Sequence, residues 1–437
     1  MSGPARLLTL TASTPAALEE ATDAVVRRLE GLDDAGFARL PRVPQAGAPL
    51  AVLRRAVVSG TPKEAARALR RRDPRRVFTG GQGTGASPVF LFSGVGDQYP
   101  GLGGGLRRCL PGFGRELDRC FRLLADDHGL DLRSVLFPSG TSVDPGGARP
   151  DLAALFDRRE TTQEIHRTVV AQPLMFVVQY ALARALTALG APPRALAGYS
   201  VGEYTAACVA GVFSLEDALR LVTQRARLVD TLPAGAMLAV MAGPETVVPY
   251  LGGAVSLAAV NGPGQTVLSG PVEAIEETAR RLAGTGTACR RLATSHAFHS
   301  PGLEPLKSPL EELIGTFDLG PAGLPVLSNA TGTWLRDEEA TSPAYWAGQL
   351  SRTIRFADGL AELWRMPAPL LIELGPGQAL SRLAVQHPQR PADAAASVVQ
   401  TLPGQFESRT EGELLLGVAG RLWCAGLDVD WEALGEG

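Results

Sequence analysis

Histidine is scarce in this chain, with five in 437 residues, at positions 128, 166, 296, 299 and 387. Lysine is scarcer still, occurring only at 63 and 307, so almost all positive charge is arginine. Neither sign dominates: 42 Lys and Arg face 45 Asp and Glu, and the net charge is −3. Such a balance gives no footprint for nucleic acid or for an anionic membrane surface. The five cysteines, at 109, 120, 208, 289 and 424, are odd in number and form no CxxC pair. A disulfide framework or zinc knuckle is therefore not expected, and a reducing cytoplasm is. The opening MSGPARLLTLTAS lacks the apolar core of a signal peptide. The most hydrophobic stretch, VVAQPLMFVVQYALARAL from Val169, contains Pro173, two glutamines and Arg184. It reads as a core helix rather than a membrane span.

What is present fills two or three packed units, because a chain of this length exceeds one compact core. Residues 1–86 read as a separate small α+β unit. An apolar run, RLLTLTA, leads to a helix opened by Thr14 and Pro15, then a strand, AVLRRAVVSG, and a second Thr-Pro helix start at Thr61. The Gly- and Ser-rich TGGQGTGAS, 79 to 87, reads as a linker. Its glycines precede a strand instead of following one, which argues against a dinucleotide loop. Over 87–235, strands such as PVFLFSG and RALAGYS alternate with helical segments, the pattern of a largely parallel sheet covered by helices. An irregular, Pro-rich stretch interrupts this near 137 to 150. Over 236–293 the order becomes strand, helix, strand, strand, helix, strand, which predicts a ferredoxin-like insert. Residues 294–394 return to the large unit, and 395–437 read as a closing segment.

GYSVG, residues 198–202, fits G-x-S-x-G where a strand should end and a helix begin. A sharp turn there pushes the Ser200 hydroxyl clear of the sheet, and small flanking residues let the turn close. The helix N-terminus behind it aims N–H groups at a developing oxyanion. In a chain with 50 glycines the bare pattern is weak, and its weight comes from the strand before and the helix after. Serine alone also needs a base. SHAFHS, 295–300, supplies His296 and His299, which could be a metal pair, packing residues, or one base with a neighbour shaping its pocket. No HExxH or Cys/His cluster offers further ligands, so no metal is expected. The isolated His128, His166 and His387 read as surface or satisfied core residues. Arg225 lies on a helix that should return towards the mouth of the sheet. It is either a surface arginine or a fork for a carboxylate.

The ordered blocks resemble the acyltransferases of polyketide synthases, relatives of the malonyl-CoA:acyl-carrier-protein transacylases. FLFSGVGDQYPGLG, AGYSVGEYTAACVAG, QRARLVDTLPAGAMLAV, AVNGPGQTVLSG, SHAFHSPGLEPL, LSNATG, YWAGQLSRTIRFADGL and IELGPGQALSRL follow in the family's order. Residues 1–86 resemble the unit that precedes the acyltransferase in modular synthases, and VDWEAL the end of the one that follows. The implied fold is an α/β-hydrolase-like large subdomain with a ferredoxin-like small one. The implied role of Ser200 is the acylated nucleophile, of His299 its base, oriented by the backbone carbonyl of Gln349, and of Arg225 a clamp for the free carboxylate of a malonyl-type group. Val95 and Val201 would form the oxyanion hole through backbone N–H groups, with Gln172 near the pocket.

That resemblance implies ping-pong transfer from acyl-CoA, with no tightly bound cofactor, to the phosphopantetheine thiol of an acyl carrier protein in polyketide, including antibiotic, biosynthesis. His296 and Phe298 fall on the specificity segment, and HAFH resembles the malonyl-type version. Three departures stand out: Val95 replaces a Gln, Ser93 a Pro, and Tyr199 the His before the nucleophile. They keep open a larger or unusual acyl group, including one passed between carrier proteins. A serine hydrolase or editing thioesterase is a further alternative, and a non-catalytic docking domain is disfavoured because Ser200, His299 and Arg225 are all present. Either a free-standing enzyme or a synthase domain fits these features.

Overall fold

The computed structural model describes residues 4–44, 53–81, 85–138, 164–392 and 394–435. Three antiparallel strands, β1 (Arg6–Ala12), β2 (Leu53–Ser59) and β3 (Val77–Gly81), form the first sheet in that order. Helices Pro15–Glu30 and Pro62–Arg71 cover one face, each opening on the expected Thr-Pro pair. Thr14 accepts a hydrogen bond from the Ala17 N–H at 3.2 Å, and Thr61 accepts one from Glu64 at 3.3 Å. The other face is covered from the far end of the chain. Helix Glu411–Cys424 lays Leu415, Ala419 and Leu422 against Leu7, Ala56 and Phe78. Gly80 is required at this contact, because a Cβ there would sit 2.2 Å from the Cys424 carbonyl oxygen. Residues 1–86 are thus not a separate unit, since an antiparallel sheet with two apolar faces needs two covers.

Strands β4 (Ser87–Phe92) and β5 (Ala195–Gly198) begin the second sheet. The stretch expected as a linker shrinks accordingly: Thr79–Gly81 belong to β3, Ser87 begins β4, and 82–84 lie outside the described residues. The irregular stretch expected near 137 to 150 lies beyond them too after Pro138. Four antiparallel strands follow: β6 (Ala236–Val240), β7 (Ser256–Gly262), β8 (Gln265–Gly270) and β9 (Cys289–Arg291), side by side in the order β7-β8-β6-β9. Short helix Pro244–Val247 and helix Val272–Gly284 make the two crossings. The chain then returns with β10 (Val326–Leu327), β11 (Pro369–Pro376) and β12 (Val398–Leu402).

The second sheet runs β10-β5-β4-β11-β12, and every neighbouring pair is parallel. Its middle strands are apolar apart from Ser87 and the buried Glu373, as a sheet covered on both faces demands; Val89, Phe90, Leu91 and Phe92 are fully buried. Two boundaries differ from expectation. β12 is an edge strand of this sheet, which carries the large unit past residue 394. LPVLSNATG contributes only two strand residues, and the rest is loop. Helix Thr168–Ala188 is long and apolar enough to cross a membrane, yet its most apolar window is 89% buried against helices Pro111–His128 and Leu215–Asp230.

Candidate active site

β5 ends at Gly198 and helix Gly202–Val209 starts four residues later, with Ser200 at the turn in the left-handed region, φ +56°. Such a conformation costs a non-glycine residue about 1 kcal/mol or more, so the surroundings must hold it. The two flanking glycines are fixed by contact. A Cβ on Gly198 would lie 2.1 Å from the Glu203 nitrogen, and one on Gly202 would lie 2.2 Å from the Phe92 oxygen. Polar partners complete the grip. The Ser200 N–H donates to Asn329 Oδ1 at 2.9 Å, and Asn329 Nδ2 donates to the Gly198 carbonyl at 2.6 Å. Gln349 Nε2 donates to the Ser200 carbonyl at 2.8 Å and to Glu203 Oε2 at 3.0 Å. Glu203 is fully buried, and its other oxygen accepts from the Asn329 N–H and the Tyr345 hydroxyl, both at 2.9 Å. Burial pushes the Glu203 carboxyl up to about 7, against the pull of those hydrogen bonds.

Ser200 Oγ lies 2.7 Å from His299 Nε2. His299 is buried and also left-handed, φ +56°. Its Nδ1 stands 2.9 Å from the Arg352 backbone oxygen. A carbonyl can only accept, so Nδ1 carries the proton and Nε2 turns its lone pair to the serine hydroxyl. The carbonyl expected in this position was that of Gln349. It supports the imidazole only after the Arg352 carbonyl, while the Gln349 side chain is spent on the elbow. Burial, and then the nearby Arg225 charge, lower the His299 pKa to about 4, so the imidazole is neutral at pH 7.

Arg225, on helix Leu215–Asp230, is 1% exposed. Its Nη1 donates to Gln172 Oε1. Its Nε and Nη2, together with Gln172 Nε2, find no acceptor among the described residues. The guanidinium carbon lies 5.5 Å from the Tyr204 ring centre and 5.9 Å from that of Phe298, which frames it with aromatic faces. His296 is apart from the serine. Its Nδ1 pairs with Ser295 Oγ at 2.9 Å and Thr168 Oγ1 at 3.3 Å, and its ring packs edge-on to Phe298 at 6.2 Å. No group of three His, Cys, Asp or Glu able to hold a metal occurs among the described residues.

The profile of the acyl transferase domain family matches residues 89–408. The chain belongs to the acyltransferase domains of polyketide synthases. It is 35% identical over 448 residues to a phenolphthiocerol/phthiocerol polyketide synthase protein from Mycobacterium tuberculosis, covering 98% of this chain and 28% of that protein. With the spectinabilin polyketide synthase system protein NorB of Streptomyces orinoci it shares 36% over 369 residues, covering 83% of this chain and 16% of that one. It thus spans about a quarter or less of these relatives' length. Among solved structures, the acyl transferase domain of ZmaA superposes with a TM-score of 0.83 at 33% identity, covering 99% and 97% of the two chains. That of SpnD, solved with 2-(pent-4-yn-1-yl)malonyl, gives 0.80 at 34% identity, covering 97% of each.

The three departures of this acyltransferase from the family pattern settle differently. Ser93 is absorbed by packing, since Gln179 Nε2 donates to its carbonyl at 2.7 Å and its Oγ at 3.0 Å. Val95 stays 39% exposed in the loop after β4, which lies against the elbow: a Cβ on neighbouring Gly94 would be 3.4 Å from the Tyr199 oxygen. Tyr199 turns its ring onto Phe356, 5.3 Å between centres, and burial pushes its hydroxyl up to about 12. Asn329 and Glu203, which hold the elbow, belong to no catalytic pattern in the sequence. Glu203 is a lone acid at the start of an otherwise uncharged buried helix, whereas Asn329, in the loop after β10, carries no signal of its own.

Proposed function

We propose that this domain moves a malonyl-type acyl group from acyl-CoA to the phosphopantetheine thiol of an acyl carrier protein through an ester on Ser200. His299 takes the hydroxyl proton as Ser200 Oγ attacks the thioester carbonyl, then returns it to the departing CoA thiolate. In the second half the carrier thiol gives its proton to His299 and attacks the ester, and Ser200 leaves with that proton. The backbone N–H groups of Val95 and Val201 serve the oxyanion. In this reading the chain from residue 87 through β12 divides into α/β-hydrolase-like and ferredoxin-like subdomains, residues 1–86 and the Glu411–Cys424 helix pack together as the flanking linker, and the protein works in the cytoplasm.

One observation carries the choice of acyl group: a buried guanidinium with two unpaired donor atoms beside a third unpaired donor on Gln172. An uncompensated buried charge of this kind is costly, and a bidentate carboxylate satisfies it. A neutral acetyl group leaves it unpaired. Phe298 and His296 wall the α-carbon side and favour malonyl over branched groups, although one methyl is worth only about 1–3 kcal/mol. A larger acyl group is the second reading, supported by the exposed Val95 and the loss of the usual His at Tyr199. Hydrolysis fits less well, because His299 leans on a carbonyl and, among the described residues, no carboxylate bonds to it to stabilise its charged form.

The test is intact-mass measurement after incubation with a panel of acyl-CoAs. A malonyl adduct is expected on the wild type and none on Ser200→Ala. No adduct from any dicarboxylic acyl-CoA, or rapid hydrolysis without acceptor, would sink the reading.

A further inference from the structure

The segment between helix Pro343–Gly348 and helix Phe356–Trp364, a turn followed by a short extended stretch, bonds to both His299 and Asn329. The Leu350 carbonyl accepts the His299 N–H at 3.1 Å, and the Arg352 carbonyl accepts from His299 Nδ1 at 2.9 Å. One residue on, the side changes. Thr353 Oγ1 donates to the Leu257 carbonyl of β7 at 2.7 Å. Ile354 is 1% exposed and pairs with the same strand in parallel: its N–H donates to Ala258 at 2.9 Å, and its carbonyl accepts from Val260 at 2.8 Å. Arg355 then donates its N–H to the Asn329 carbonyl at 2.8 Å, and Asn329 holds the Ser200 N–H.

We propose that residues 350–355 are a strap through which the four-stranded domain sets the orientation of the His299 imidazole, and that Thr353 is its positioning residue. The physical reason is the shortness of the lever. Arg352 O and Thr353 Oγ1 belong to adjacent residues, and a trans peptide allows no slack between them beyond φ and ψ. Both soft dihedrals are pinned, on one side by His299 and on the other by three bonds to β7. Any displacement of β7 relative to the parallel sheet must therefore move the oxygen that fixes the imidazole tautomer. Thr353 touches neither Ser200 nor the Arg225 pocket, so it acts through the Arg352 carbonyl. Because side-chain anchoring by Thr353 is the removable part of this linkage, the proposal is testable at one hydroxyl.

This inference rests on His299 acting as the base. The experiment compares wild type, Thr353→Val, Thr353→Ser and His299→Ala in malonyl transfer from malonyl-CoA, alongside nitrogen-15 imidazole spectra of the wild type and the Thr353 variants. Thr353→Ala removes the same hydroxyl without adding a methyl and serves if the valine variant does not fold. Loss of the hydroxyl is expected to lower kcat about five- to tenfold with KM for malonyl-CoA unchanged, because a small misplacement of a catalytic group lowers the rate of the chemical step. The His299 Nδ1–H signal should broaden or shift, and serine should restore both rate and spectrum. Unchanged kcat and spectrum in Thr353→Val and Thr353→Ala, with His299→Ala inactive, would overturn the strap alone. Activity retained in His299→Ala would instead overturn the base assignment beneath it.

Discussion

The half-buried Ser200 and the buried Arg225 both border His299 and are held in opposite ways. Around Ser200 the backbone is saturated. Its N–H goes to Asn329 and its carbonyl to Gln349, and buried Glu203 ties both partners together. Around Arg225 three buried donor atoms find no acceptor among the described residues. The first arrangement spends its hydrogen bonds on holding a strained turn, whereas on the proposed reading the second keeps them for a ligand carboxylate. Unpaired buried atoms occur elsewhere too, Gln349 Oε1 beside the elbow among them, but three donors converging on one charged group are what the proposed clamp draws on.

Breaking the open half should have the largest effect. Arg225→Ala is expected to lower kcat/KM for malonyl-CoA about a hundredfold while acetyl-CoA loading changes little, since a charged hydrogen-bond partner is lost by one substrate only. Equal losses for both substrates would move the clamp elsewhere. Breaking the closed half should cost less and should not discriminate. Asn329→Ala leaves the Ser200 N–H and the Gly198 carbonyl unpaired, and is expected to lower unfolding free energy by about 2–3 kcal/mol and kcat about tenfold for every acyl-CoA alike. Urea denaturation with parallel loading assays separates the two halves. Selectivity that shifts with Asn329→Ala would erase the distinction.

The smallest effect is a displaced pH limb. A base works only unprotonated, and His299 is held down to about 4, first by burial and then by Arg225. Loading should therefore hold steady from neutral pH to about 5 and fall as pH drops through about 4. In Arg225→Ala one lowering cause is gone, and the midpoint for acetyl loading should rise. An acid limb near 6.5, the usual imidazole value, would contradict the burial of this base.

How far the sequence could be read depended on where a function is written. Ser200 and His299 are legible because their chemistry sits in side chains within short patterns, and they meet at 2.7 Å. Arg225 was readable as a type, but its burial and its unpaired donors belong to the packed core. Arg352 left no trace, because it contributes a backbone oxygen that any residue possesses. Expecting the Gln349 carbonyl placed the right segment and missed the main acceptor by three residues. Strand periodicity announced β12 as a strand, yet a parallel partner is chosen by long-range pairing, so its membership of the large sheet was invisible. For the same reason the first sheet seemed self-contained until the Glu411–Cys424 helix supplied its second cover.

The proximity that lets Arg225 depress His299 has a further meaning as a linkage. An anion seated on the guanidinium compensates its charge and withdraws part of what weakens the imidazole. Proton affinity at His299 and carboxylate affinity at Arg225 are then reciprocal, each raised by the other by the same factor. A dicarboxylic acyl group would strengthen the base that acts on it, and a neutral one would find that base still weak. The pocket would read its substrate twice, once by fit and once by the basicity it confers.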